Sequence, residues 1–160
     1  MPESRWETVR KILSHLRERK VVVFVDGPNI LRKEFNVRLE DIREIAEQFG
    51  RVTVAKVFLD KFAPKKLIEA VSNSGFTPVI SPVDIHVYMA IELATILNTM
   101  SVDVFTVVSR HARCAPLVKI ARERGLETVV IGFEPGFSAA LKNSPDYVFK
   151  LKISESAFRT

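Results

Sequence analysis

The chain is poor in the side chains most used for redox work and soft-metal binding: 160 residues hold one cysteine, one tryptophan and three histidines. With Cys114 alone no internal disulfide can form, so a reducing, intracellular setting is expected, and cytoplasmic localisation with it. No apolar run approaches the roughly 20 residues that cross a bilayer, so no membrane partner is expected. The N-terminal stretch sets Trp6, Val9 and Leu13 between charges, unlike the unbroken apolar segment of a secretory signal. Repeats and low-complexity tracts are missing. So are a Walker-type glycine-rich loop and a GxGxxG, which leaves nucleotide phosphates without an evident cradle.

What remains is an ordinary globular mixture, 47% hydrophobic and 27% charged, long enough for one domain with a sizeable core. The formal net charge is +5 and the pI about 9.5. An excess of this size suits nucleic-acid binding, but many proteins that bind none share it.

Hydrophobic patterning alternates between two periods. Residues 4–19 read as an amphipathic helix, with Trp6, Val9, Ile12, Leu13 and Leu16 on one stripe and Arg5, Arg10, Arg17 and Arg19 mostly off it. Val21 to Val25 form a continuous apolar, largely β-branched run, as in a strand buried on both faces. Further strands are expected at 52–59, 76–80, 102–108, 127–132 and 147–151. Helices are expected between them at 39–49, 64–74, 84–99, 113–124 and 136–142. The predicted organisation is an N-terminal helix (1–19), one α/β domain (20–151) and a polar tail (152–160). Such alternation specifies a mainly parallel sheet with helices on both faces, a Rossmann-like three-layer sandwich. Ligands then sit beyond the carboxyl ends of the strands, where strand order reverses. Asp26, Asp60, Ser81 and Ser109 stand at four such ends.

Asp26 is the most informative of these. An acid directly after the most apolar strand is costly unless it is paired or holds a metal. Gly27 permits a sharp turn, and Asn29 can cap the next helix or hold Asp26. Taken locally, an Asx turn with a helix cap explains the same residues.

Four segments together go further: VDGPNILRKEF, VAKVFLDKFAPKKLIEAVSNSGFTP, YMAIELA and ETVVIGFEPGFSAALKNSPDYV. Over roughly residues 20–150 the chain resembles the NYN domain, within the PIN-like ribonucleases, and more narrowly its LabA-like branch in the form common in archaea. The resemblance implies a PIN-like fold, RNA as partner, and phosphodiester cleavage at a magnesium or manganese ion held by acids. It places Asp26 and Asn29 at the site, Asp84 before the long helix and Glu92 inside it. Asp26 and Glu92 are then the metal ligands that survive. His86 stands where a further acid is expected beside Asp84, and His111 and Arg113 stand where two more are expected, in a loop after the fourth strand that also holds Ser109 and Arg110. Imidazole suits transition metals better than magnesium, and an arginine repels any cation.

Three readings follow. One is an RNA-binding or protein-binding module on a nuclease fold, with a degenerate metal site and phosphate held by Arg110 and Arg113, helped by Arg32, Lys33, Lys61, Lys65 and Lys66. Another is a nuclease with altered chemistry. There His86 and His111 either join Asp26 and Glu92 around a transition metal or act as general acid and base without metal. The third keeps ordinary metal hydrolysis on Asp26, Asp84 and Glu92. A homo-oligomer is compatible with all three.

Several features have plainer explanations. Cys114 reads as a small packing residue, and Trp6 as the anchor that docks the N-terminal helix. The loop 132–138, with Ser138, reads as a phosphate contact or a structural turn. Asp103 reads as structural, at the end of the sheet opposite the site; the direction of Lys56 is open.

Overall fold

The computed structural model describes residues 4–153. The side chains of residues 14–17, His15 among them, and residues 154–160 of the expected tail lie outside that description. Six strands form one parallel sheet: β1 (Lys20–Asp26), β2 (Arg51–Leu59), β3 (Thr77–Ile80), β4 (Val104–Val108), β5 (Glu127–Gly132) and β6 (Tyr147–Lys150). Seven α-helices accompany them: α1 (Arg5–Glu18), α2 (Gly27–Ile30), α3 (Leu39–Glu47), α4 (Lys65–Asn73), α5 (Ile85–Thr99), α6 (Ala115–Glu123) and α7 (Ala139–Lys142). Among the described residues no helix is long and apolar enough to cross a membrane.

The alternating patterning becomes three layers. Val21, Val23 and Val25 point to one face and pack with Ile42 and Ala46 of α3 and Val71 of α4. Val22 and Phe24 point to the other face, against Met89 and Leu93 of α5 and Leu117 and Val118 of α6. A strand covered on both faces needs a continuous apolar run, which is why β1 does not alternate.

The strand order is β3-β2-β1-β4-β5-β6. The chain winds outward from β1 to β3, returns through α5, and then winds the other way from β4. The reversal therefore lies between β1 and β4, and Asp26 and Ser109 flank it at the carboxyl ends.

Two short elements carry little periodic signal: α2 and a 3-10 turn at Lys33–Phe35. Gly27 opens α2 against β2, and a Cβ added there would collide with the Phe58 carbonyl and the Leu59 side chain. The tight turn after Asp26 therefore depends on the missing side chain.

The helix α1 corrects one expectation. Trp6 is 73% exposed, Ile12 and Leu13 are also exposed, and only Val9 of the stripe described here is half-buried. Trp6 does not dock the helix. The chain is instead secured at the end of α1, where Arg19 pairs with Glu127 at 3.1 Å and its carbonyl accepts from Arg51 N.

Asp103 immediately precedes β4, and its Oδ2 accepts from Lys20 N at 2.8 Å, at the sheet end away from Asp26. Asp146 has a similar structural job before β6. Its Oδ2 accepts from Thr128 N and Thr128 Oγ1, each at 2.9 Å. The hydrogen bond from the Thr128 backbone holds the Asp146 carboxyl below its usual range. A depressed folded-state pKa gives stability that is present above about pH 4 and lost as pH falls through the folded value. Asp146→Ala is expected to cost less than about 1 kcal/mol at neutral pH, since solvent screens this exposed carboxylate, and progressively less below about pH 4. Urea midpoints at pH 7 and pH 3 check this, and an undiminished difference at pH 3 contradicts it.

Candidate functional site

Asp26 ends a strand buried on both sides and is 2% exposed. Its Oδ2 is the meeting point of the site. Ser109 Oγ donates to it at 2.8 Å, a ring nitrogen of His86 (Nε2) lies at 2.9 Å, and the Cys114 thiol reaches it at 3.9 Å. Ser109 also accepts from His111 N at 3.0 Å, so the loop after β4 is fastened to Asp26 through one hydroxyl. Burial and the neighbouring Asp26 charge push the Cys114 thiol up to about 12, so at neutral pH it is a thiol, not a thiolate.

The first turn of α5 supplies His86. Asp84 is its N-cap, with Oδ1 accepting from His86 N at 3.0 Å and Val87 N at 3.2 Å. Arg113 grips the same carboxylate with both guanidinium arms, at 2.9 and 3.0 Å. That hydrogen-bonded pair is the main reason the Asp84 carboxyl lies below its usual range. His111 Nδ1 accepts from Arg113 N at 3.0 Å, and the His111 and His86 rings face each other with centroids 5.0 Å apart. Each carboxylate thus meets a basic side chain: Asp26 meets His86, and Asp84 meets Arg113.

Three expected site residues go elsewhere. Arg110 was expected at phosphate, but it is 7% exposed. Its two arms donate to the carbonyls of Pro135 at 2.6 Å and Asn29 at 2.8 Å. The guanidinium lies 4.4 Å from the Phe35 ring centroid and 4.9 Å from that of Phe133. Asn29 completes the clamp, its Oδ1 accepting from Arg110 N at 2.8 Å. Arg110 thus fixes the loops rather than meeting solvent, while Asn29 joins the clamp from the cleft wall. Glu92 points to Lys56, with Nζ at 3.1 Å, and is not part of the Asp26 cluster. This pair also settles the direction of Lys56. Ser138 caps α7 by accepting from Leu141 N, and its own N–H donates to the Arg110 carbonyl, so the 132–138 loop is a structural turn.

A cleft of about 350 Å³ opens over the site. Asp26, Asn29, Asp84, His86, His111 and Arg113 line it, and so do Arg32 and Asp60. Its charge is nearly balanced, three acids against two arginines and two histidines, where a positive loop was expected. Lys33, Lys61, Lys65 and Lys66 are exposed but stand outside this lining.

Sequence reasoning passed over two features. Cys114 is fully buried, yet its thiol reaches Asp26. Phe62 is 79% exposed in the loop after Asp60, and its N–H donates to Asp60 Oδ1 at 2.8 Å. Lys61 Nζ lies 5.2 Å from the Phe62 ring centroid. The lysines around Phe62 were the available signal, since a phenylalanine among them has no core to join.

The profile of the NYN domain matches residues 20–152. An uncharacterized protein of the archaeon Methanocaldococcus jannaschii is 40% identical over 157 residues, covering 93% of this chain. The chain spans 65% of that relative's length. A crystal structure of a protein of unknown function from Vibrio parahaemolyticus superposes with a TM-score of 0.73 at 19% identity, over 85% of this chain and 94% of that one. This likeness shows a shared fold.

Proposed function

Because this chain belongs to the NYN domain family, whose fold is that of PIN-like ribonucleases, we propose that it binds RNA at the carboxyl ends of its strands without conventional magnesium-dependent hydrolysis. The observation that carries this reading is the pairing of the cleft's acids with basic side chains. A magnesium or manganese ion needs several oxygen ligands. Here Asp26 Oδ2 is engaged by Ser109 and His86, Asp84 is held by Arg113, and Glu92 is turned to Lys56. These residues do not fit a hard cation. Its charge is replaced by basic groups of the chain itself.

RNA binding draws support from the rim. Exposed aromatic rings among basic residues stack bases of single strands, while arginine and lysine follow the phosphates. Phe62 and Lys61 on the β2–α4 loop, with Lys65 and Lys66 in the first turn of α4, have this composition, and Arg32 and Arg113 reach the neighbouring cleft. Arg113 keeps a carboxylate partner, so phosphate would have to share or displace Asp84.

The test combines turnover and affinity. Labelled single-stranded RNA is incubated with magnesium, manganese or EDTA beside an Asp26→Asn control, and binding is measured across a salt series. The expected result is salt-sensitive binding with no cleavage above the control. Phe62→Ala should weaken binding by about 1–3 kcal/mol, the usual contribution of one stacked base. Arg113→Ala should lower the salt slope. Magnesium-dependent cleavage that disappears in Asp26→Asn overturns this reading.

A second reading has its own observation, the facing rings of His86 and His111 with Asp26 behind the first. Its signature is cleavage that survives EDTA and is lost when either histidine is replaced.

A further inference from the structure

We propose that three residues beneath the cleft, Asp26, His86 and Cys114, bind one transition-metal ion of the zinc type. An oxygen of Asp26, a ring nitrogen of His86 and the sulfur of Cys114 all lie within 4.8 Å of one another, the one such trio found among the described residues. They arrive from three elements: the end of β1, the first turn of α5 and the 3-10 turn at Ala112–Cys114. The whole chain has three histidines and one cysteine; two of the histidines line this cleft, and the buried cysteine lies beneath it against Asp26.

Donor chemistry selects the metal. One oxygen, imidazole nitrogen and one sulfur suit zinc or cobalt and disfavour magnesium. The spacing also fits. Bonds of about 2.0–2.3 Å in a tetrahedral zinc site place its donors roughly 3.3–3.8 Å apart. The His86–Asp26 contact at 2.9 Å and the Cys114–Asp26 contact at 3.9 Å fall on either side of that range, so small side-chain adjustments admit an ion. His111 stands beside this trio rather than in it: its Nδ1 accepts from Arg113 N, and its ring lies 5.0 Å from that of His86.

Surrounding groups behave as outer partners of a metal site. Ser109 orients the Asp26 carboxylate at 2.8 Å, and the second nitrogen of His86 lies 4.0 Å from Asp84 Oδ1. Binding displaces the thiol proton. The ion then carries one carboxylate and one thiolate, so the buried charge balances. Arg113 stays neutralised by Asp84, which limits its repulsion of the ion.

This inference rests on the reading above only in rejecting magnesium, and it is measured without RNA, so either can fail alone. Metal-stripped full-length chain is titrated with zinc against a chromophoric chelator, and with cobalt(II) as a spectroscopic substitute. The expected result is one ion per chain, with tetrahedral cobalt absorption and a thiolate-to-cobalt charge-transfer band. Millimolar magnesium should displace neither metal. Cys114→Ser should lose the charge-transfer band, and His86→Gln should lose at least tenfold in zinc affinity. Circular dichroism verifies that each variant is folded. His86 is not fully buried, so its replacement keeps the test decisive where the buried Cys114→Ser is not folded. Absence of stoichiometric zinc binding, unchanged zinc affinity in His86→Gln, a charge-transfer band that persists in Cys114→Ser, or displacement by magnesium overturns the proposal.

Discussion

Arg110→Met is expected to lower folding stability by about 3–5 kcal/mol, a large fraction of what a domain of this size possesses. The side chain has two tasks. It donates to the carbonyls of Pro135 and Asn29, and it packs against the paired rings of Phe35 and Phe133. Methionine replaces much of the bulk but leaves two carbonyls without donors, each costing about 1–3 kcal/mol when buried. The damage should spread to the site, because Asn29 and the 132–138 loop lose the group that joins them. Arg113 provides the comparison. It is half-exposed and paired with an exposed carboxylate, so Arg113→Ala should change stability by less than about 1 kcal/mol. Urea denaturation of the two variants side by side makes the measurement. Equal, small shifts would mean that the buried clamp does not hold the loops.

Restoring acids at three positions, His86→Asp, His111→Asp and Arg113→Asp together, is expected to reverse the metal preference of the cleft. Asp26 and Asp84 would then face three further carboxylates and lose the basic side chains that meet them. Without metal the variant should be less stable than the parent, because like charges crowd one cleft. Magnesium or manganese should stabilise it by about 2.7 kcal/mol at a hundredfold excess over the dissociation constant, and should leave the parent unchanged. Magnesium-dependent RNA cleavage should appear, and Asp26→Asn added to the triple variant should abolish it. A melting temperature that does not respond to magnesium would sink the idea that these substitutions alone removed a hard-metal site.

The strands were legible because burial on two faces demands apolar residues. Val21 to Val25 announced β1, and the alternation of such runs with helical periods announced a parallel sheet. The strand ends were legible too, and with them the neighbourhood of Asp26, Asp60 and Ser109. The turns Gly27–Ile30 and Lys33–Phe35 were not, since four and three residues give no period to read. The Trp6 stripe is amphipathic in the expected way, yet Trp6, Ile12 and Leu13 stay exposed, because periodicity reports which face is apolar and says nothing about what covers it.

Side-chain partners divide along the same line. Arg110 and Arg113 are the same residue type three positions apart in one loop. One is buried against two phenylalanines, and the other reaches across the cleft to Asp84. Glu92 and His86 share a helix, yet Glu92 finds Lys56 on β2 and His86 finds Asp26. Cys114 looked like simple packing until the fold brought it to a carboxylate 88 residues away. The sequence by itself determined the layers, the strand ends and the kinds of groups available there, because local periodicity and burial obey rules written along the chain. Only the tertiary structure decided which acid meets which base and which donors share one oxygen, because those contacts depend on strand order and on the rotation of each helix, which no neighbouring residue encodes.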